Sequence, residues 1–439
     1  MEIYNIHIFI LTLALLFINI FLVKFLVAEI SHKILIYLFL IGFTFYSAFG
    51  LSLYNIQDTW LHLFNYQLFS LCFILMGSIS SRLKSPKYFV FGKQLSAIIE
   101  GHPKIFTIGS LVYIFTYIFP LIYPTFRLDE IFSISQFFSD FKTTPFSLRV
   151  ERKADFLYTI MINQVRTIAM PFFYIKLYSL RKKPLLFILI FVLPFYLQGI
   201  SDSYLSRNKI AILMGFIFLY FVLEKYISKK TAYLILIFSL PLVLVFFNTI
   251  FYIRQGMDVH SGLSIMDGIS ELLKSEANFV TTYESASIVG QNVSVFDFII
   301  HLLLLPIPSQ ITSNLGFTAI NLPYLLTTEM IGLEYGEPGY YILLPSILGE
   351  GIIVFNKYTS FMYVFIFGTF IFLILRLLNK NNYLKYLLLY FLLDFFRELR
   401  GGGQYIIATW INTLVPFTII VILIYSFGIR SKNKYLKKD

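Results

Sequence analysis

Apolar residues recur along this chain in nearly unbroken runs, with neither the alternation of half-buried strands nor the single apolar stripe of a soluble surface helix. Runs over 4–23, 34–54, 61–79, 105–123, 157–177, 184–200, 210–223, 232–251, 358–377 and 406–427 approach the roughly twenty residues that cross a hydrocarbon core at 1.5 Å per residue. A shorter run covers 386–396. Between the runs lie basic clusters: Arg82, Lys84, Lys87, Lys93 and Lys104; Arg181, Lys182 and Lys183; Lys225, Lys229 and Lys230; Lys380 and Lys385; and the tail 430–438. All of them can lie on the cytoplasmic face only if the block 254–357 crosses the membrane an even number of times. Within that block, 296–307 and 340–354 are apolar but short, and re-entrant or interfacial segments are favoured over a crossing pair. The pattern predicts an all-α polytopic membrane protein of about 11–13 transmembrane helices. It is read as a single integral membrane domain over 1–439, with exported loops at 125–156 and 254–357 and tight exported turns near Arg207 and Arg400.

Composition agrees with this class. Hydrophobic residues make up 58% of the 439 positions and charged residues 13%, with a mean hydropathy of +0.76, which excludes a soluble globule. The runs lack the alternation of outer-membrane barrel strands. The formal charge of +11 comes from clusters that flank apolar runs, so it reports topology and not a nucleic-acid partner. One cysteine, Cys72, offers neither a disulfide framework nor a thiolate metal site. The first run opens with Glu2 in place of a basic segment and is read as a retained helix. No internal repeat supports an inverted-repeat transporter.

The informative charges are those that basic cytoplasmic flanks do not explain. Arg166 falls about ten residues into a span, beside Asn163 and Gln164, where a guanidinium is costly unless paired or wetted. A structural ion pair and an anionic headgroup site are equally open for it. Arg207 lies in a tight exported turn and Arg254 at an exported helix end near Asp258 and His260, both against the orientation rule. Asp394, Arg397 and Glu398 share a helical face, which leaves Arg400 to bind something else. Gly401, Gly402 and Gly403 then permit a tight return whose N–H groups could meet an anion. Guanidiniums at a membrane boundary suit phosphate or diphosphate. The block 254–357 adds flat faces for sugar rings, at Tyr283, Tyr324, Tyr335, Tyr340 and Tyr341, and carboxylates including Glu329, Glu337 and Glu350.

In these patches the chain resembles the Wzy-type O-antigen and oligosaccharide repeat-unit polymerases of bacterial inner membranes. The residues that carry the resemblance are Ser206 and Arg207 opening a span; Arg254, Gln255 and Gly256; the stretch from Tyr340 to Gly351, with Gly349 and Glu350; and the stretch from Arg397 to Gly403 before the last helix. The resemblance implies a glycosyltransferase fold of the GT-C type, a periplasmic active face, no metal and no cofactor. It also implies transfer between undecaprenyl-diphosphate-linked oligosaccharides with undecaprenyl diphosphate leaving, and a chain-length regulator protein as a further candidate partner. Arg207, Arg254 and Arg400 become the candidate catalytic cations, with Arg166, Arg397, Tyr340 and Tyr341 as candidate substrate contacts. Glu337, Glu350 and His260 remain unranked as candidate general bases. An O-antigen ligase and a lipid-linked oligosaccharide flippase are the alternatives. The ligases place a histidine near a catalytic arginine, and neither His260 nor His301 lies in such a context.

Overall fold

The computed structural model describes residues 5–53, 58–83, 93–123, 126–132, 156–201, 207–245, 283–290, 293–333 and 343–435, apart from some positions within 126–132, 207–245 and 293–333. The described residues form helices joined by turns, with no strand among them. In chain order the helices are α1 (Ile6–Leu26), α2 (Ile30–Phe43), α3 (Thr59–Arg82), α4 (Lys93–Gly101), α5 (Pro103–Ile118), α6 (Phe156–Ser179), α7 (Pro184–Ser201) and α8 (Arg207–Leu223). Then follow α9 (Tyr283–Val289), α10 (Val295–Leu304), α11 (Ser309–Asn314), α12 (Leu322–Ile331), α13 (Ser346–Phe355), α14 (Tyr363–Leu378), α15 (Lys385–Glu398) and α16 (Gly403–Tyr435). The protein is an all-α polytopic membrane protein. Among the described residues, 7 helices are long and apolar enough to cross a membrane: Ile6–Leu26, Ile30–Ser52, Thr59–Arg82, Pro103–Leu121, Pro184–Ser201, Ser360–Leu378 and Gly403–Ser426. Each coincides with a predicted run.

The other predicted runs divide in an informative way. Helix α6 has 24 residues, but Asn163, Gln164, Arg166 and Thr167 interrupt its apolar surface. Helix α8 has 17 residues and α15 has 14. The run 232–251 lies largely outside the described residues. The two short stretches of the 254–357 block become α10 and α13, of 10 residues each. At 1.5 Å per residue either covers roughly 15 Å, about half of a hydrocarbon core, so neither crosses it alone.

The chain divides into two compact units. The first holds residues 1–89, 272–379 and 394–412. Its centre is aromatic: Phe39 stacks on Phe73 at 4.0 Å between ring centroids and on Phe43 at 4.9 Å, and Phe73 reaches Phe367 at 5.8 Å. Helix α1 lies at the margin of this unit, with only 22% of its span buried and Phe17, Phe21 and Phe25 exposed, as lipid-facing side chains are. Helix α13 is the opposite case, buried from Ser346 to Val354. It fits because small residues let backbones approach: a Cβ at Gly351 would collide with the Ser360 carbonyl oxygen.

The second unit holds 90–271, 380–393 and 413–439. Helices α5 and α6 run antiparallel, with contacts stepping along both: Lys176 donates to the Thr107 hydroxyl at 3.0 Å, the Phe172 ring meets Phe106 at 5.4 Å, Phe173 stacks on Tyr113 at 4.6 Å, and Tyr158 reaches Phe119 at 5.4 Å. Around Tyr386, Phe187 stacks on Tyr220 at 3.8 Å and Phe191 on Phe216 at 4.1 Å. At the edge of this cluster Glu224 accepts hydrogen bonds from Lys385 at 3.0 Å and Tyr386 at 2.9 Å. Burial works to raise the Glu224 pKa, but these two donors and the Lys182 charge outweigh it and hold the carboxyl below its ordinary range.

The antiparallel pair depends on Gly109, where an added Cβ would stand 2.6 Å from the Phe172 ring. Gly109→Val is expected to force the helices apart at a cost of about 1–3 kcal/mol. A lowered unfolding midpoint in detergent would show this, and an unchanged midpoint would mean that the contact is not limiting.

Candidate functional site

The best-defined polar site among the described residues lies in the first unit, where α13 meets the turn between α15 and α16. Helix α15 ends at Glu398, whose carbonyl accepts from the N–H groups of Gly401 at 2.8 Å and Gly402 at 3.1 Å. Gly402 has φ +106°, a conformation that L side chains rarely adopt, and α16 starts at Gly403. The first N–H groups of a helix have no partner within it, so the helix's own carbonyls do not supply one. Glu350, from the middle of α13, does so instead. Its carboxylate accepts from Gly403 N–H at 2.5 Å and from Gln404 N–H at 3.1 Å, and it is fully buried.

Neighbouring residues fit this contact closely. A Cβ on Gly402 would fall on the Glu350 carboxylate, and one on Gly403 would stand 2.7 Å from the Phe367 ring. The Tyr363 hydroxyl is buried beside the carboxylate. The Gln404 side chain extends the junction: its oxygen accepts from the Leu322 N–H at 3.1 Å, and its amide donates to the Ile320 carbonyl. Leu322 is the first residue of α12, so Gln404 completes the start of that helix, next to Asn321, which accepts from Tyr324 N–H at 3.2 Å. One carboxylate and one amide thus tie together α12, α13 and α16. Burial raises the Glu350 pKa to about 8 even though Tyr363 and the two backbone donors act in the other direction.

Of the residues singled out in the sequence, Glu350 and Arg400 come together here. Arg400 is half-buried in the turn between buried Leu399 and Gly401. Arg397 takes a helical position near the end of α15, and Arg207 opens α8 in the second unit, but their side chains lie outside the described residues, as do Arg254, His260, Glu337, Tyr340 and Tyr341 entirely. Arg166 belongs to the second unit, on α6. Two expectations change. Of the triglycine N–H groups, that of Gly403 meets an anion, and it is the protein's own Glu350, whereas those of Gly401 and Gly402 donate to the Glu398 carbonyl. Tyr283 is not an open platform for a sugar: it is buried, its ring packs tilted against His62 at 4.9 Å between centroids, and its hydroxyl donates to the Ser47 carbonyl at 2.8 Å.

Tyr363 carried no signal in the sequence, being one tyrosine at the start of an apolar run. The salt bridge between Asp58 and Lys357, 2.7 Å long, was equally hidden by a separation of 299 residues. No group of three or more His, Cys, Asp or Glu side chains among the described residues is placed to hold a metal ion. The chain matches no family model, no curated protein and no solved structure.

Two outcomes test the junction. Glu350→Ala leaves two backbone donors buried without an acceptor and is expected to cost about 2–6 kcal/mol, at about 1–3 each. Glu350→Gln keeps an acceptor and should cost less, and equal unfolding midpoints for wild type and Glu350→Ala would dismiss the contact. The pH dependence has a defined sign. With the folded pKa raised from 4.5 to about 8, the stability that Glu350 contributes is complete below 4.5 and is lost as pH rises through about 8. Glu350→Gln lacks this slope, so its midpoint should gain on wild type over that window.

Proposed function

We propose that this chain is an O-antigen polymerase of the bacterial inner membrane, joining oligosaccharide repeat units carried on undecaprenyl diphosphate at the periplasmic face. The observation that carries the reading is that the described parts of two of the patches resembling Wzy-type polymerases, 343–351 and 397–403, meet in one junction although about fifty residues separate them. Glu350 of the first patch accepts the N–H of Gly403, the last residue of the second. Arg400 stands three positions before Gly403, so the same contact restrains the turn that carries it.

In the reaction, the acceptor hydroxyl of one lipid-linked unit attacks the anomeric carbon of the growing chain. A carbon–oxygen bond forms there as the bond to diphosphate breaks, the diphosphate leaves with the electron pair, and the hydroxyl proton passes to a base. Negative charge gathers on the departing diphosphate, which the Arg400 guanidinium would stabilise, with Arg207 and Arg254 as the further cations that the resemblance suggests. Glu350 already holds two helix N–H groups, and we assign it to positioning that turn. Glu337 and His260 remain the candidate bases. A GT-C-like arrangement of the spans is part of the same proposal.

A strain lacking the gene, compared with its complemented parent on a lipopolysaccharide gel, tests the reading. Core capped with a single repeat unit is the expected result, and bare core would overturn it in favour of a flippase or ligase. Complementation with Arg400→Ala should yield at least about a hundredfold less polymer at unchanged membrane levels, the size of effect of losing one donor to a developing negative charge. A full ladder from that variant would remove Arg400 from the mechanism.

A further inference from the structure

Arg166 is the least expected charge in the second unit, and its surroundings follow from one proline. In an α-helix each carbonyl accepts from the N–H four residues on, and position 120 is Pro, which has none. The Thr116 carbonyl near the end of α5 is therefore left without a helical donor. The Arg166 Nη2 donates to it at 2.9 Å, and Nε donates to the Thr116 hydroxyl at 3.3 Å. That hydroxyl in turn donates to the Tyr113 carbonyl at 2.6 Å. The guanidinium lies over the Tyr117 ring, 3.9 Å from its centroid, and Nη1 donates to the Asn163 side-chain oxygen at 3.4 Å.

Every one of these oxygen partners is neutral. Among the described residues no carboxylate pairs with Arg166. A guanidinium has five N–H donors, and three are placed. The remaining two belong to Nη1 and Nη2, one on each, the two nitrogens with which a guanidinium grips two oxygens of one phosphate. Asn163 and Gln164 beside it are exposed.

The depth of the group is also legible. The span Pro103–Leu121 ends here, and Tyr113, Tyr117, Tyr123 and Tyr158 surround the position, with Tyr123 and Tyr158 5.3 Å apart between ring centroids. Tyrosines collect at the level of lipid headgroups. An arginine that merely reached for the interface would have a loose head. This one is fixed by three hydrogen bonds and a ring before any ligand arrives, so little side-chain entropy remains to be lost on binding.

We propose that Arg166, backed by Thr116 and Tyr117 and flanked by Asn163, is a binding site for the phosphate of a lipid. The phosphate could come from an anionic phospholipid of the bilayer or from a lipid carrying a terminal diphosphate, and the recognition is the same. It does not rest on the polymerase reading.

The test uses the full chain, purified and delipidated in detergent, with unfolding followed by the fluorescence of Trp60 and Trp410. Phosphatidylglycerol, phosphatidylcholine, inorganic phosphate and pyrophosphate are titrated at matched ionic strength. Wild type should show a saturable rise in midpoint with phosphatidylglycerol or pyrophosphate and none with chloride. Response to phosphatidylglycerol would identify a bilayer lipid, and response to pyrophosphate the head of a diphosphate lipid. Arg166→Lys keeps the charge without the fork and should bind about tenfold more weakly, while Arg166→Gln should not respond. If Arg166→Gln fails to fold, Arg166→Lys and Asn163→Ala decide the matter. No saturable response in wild type, or the same response in wild type and Arg166→Lys, would overturn the site.

Discussion

Inside a bilayer there is no water to complete a broken hydrogen-bond ladder, so each backbone group that a helix end or proline leaves open must be satisfied by the protein. Much of the polar architecture of this chain answers that constraint. The Leu26 carbonyl, at the end of α1, accepts from the Ser78 hydroxyl at 2.7 Å and from Arg82 at 3.0 Å. The Lys357 carbonyl accepts from Asn65 at 2.9 Å. The N–H groups that open α16 go to Glu350, the N–H that opens α12 goes to Gln404, and the carbonyl freed by Pro120 goes to Arg166. In each case a side chain distant in sequence finishes a backbone bond.

The same requirement accounts for groups that would otherwise look misplaced. A fully buried carboxylate in a ten-residue apolar helix is unfavourable alone. It is tolerated because two backbone donors need an acceptor there and because the glycines leave space for it. An arginine about ten residues into α6 is likewise tolerable once a carbonyl, a hydroxyl and an aromatic face receive it. The two solutions differ in what they leave over. Glu350 is consumed by the fold, whereas Arg166 keeps two donors and a formal charge that no described carboxylate offsets. For that reason the first reads as a positioning group and the second as a place for an anion.

Polymerase chemistry, as proposed, would use the first solution indirectly. A group that stabilises a leaving diphosphate contributes most when it is fixed before the reaction. A turn of three glycines is inherently loose, and Glu350 is what removes that freedom from the segment carrying Arg400. A carboxylate deep in the protein can then matter to the chemistry without meeting the substrate.

The sequence by itself determined the class of the protein and the position of its long apolar helices among the described residues. Length and hydropathy of a run are local properties, and a bilayer imposes one thickness on all of them. Thus 61–79 emerged as Thr59–Arg82, 184–200 as Pro184–Ser201, and the short stretches near 300 and 350 as helices of ten residues. It also marked Glu350, Arg166 and the triglycine as exceptional, since each breaks a local rule. What these exceptions do was decided only by the tertiary structure. Whether a buried carboxylate is a base or a cap depends on which N–H groups stand within hydrogen-bond distance of it, and those belong to residues more than fifty positions away. Tyr283 shows the same limit: an aromatic ring suits a sugar or a core equally well, and only packing against His62 and Ser47 chose the core.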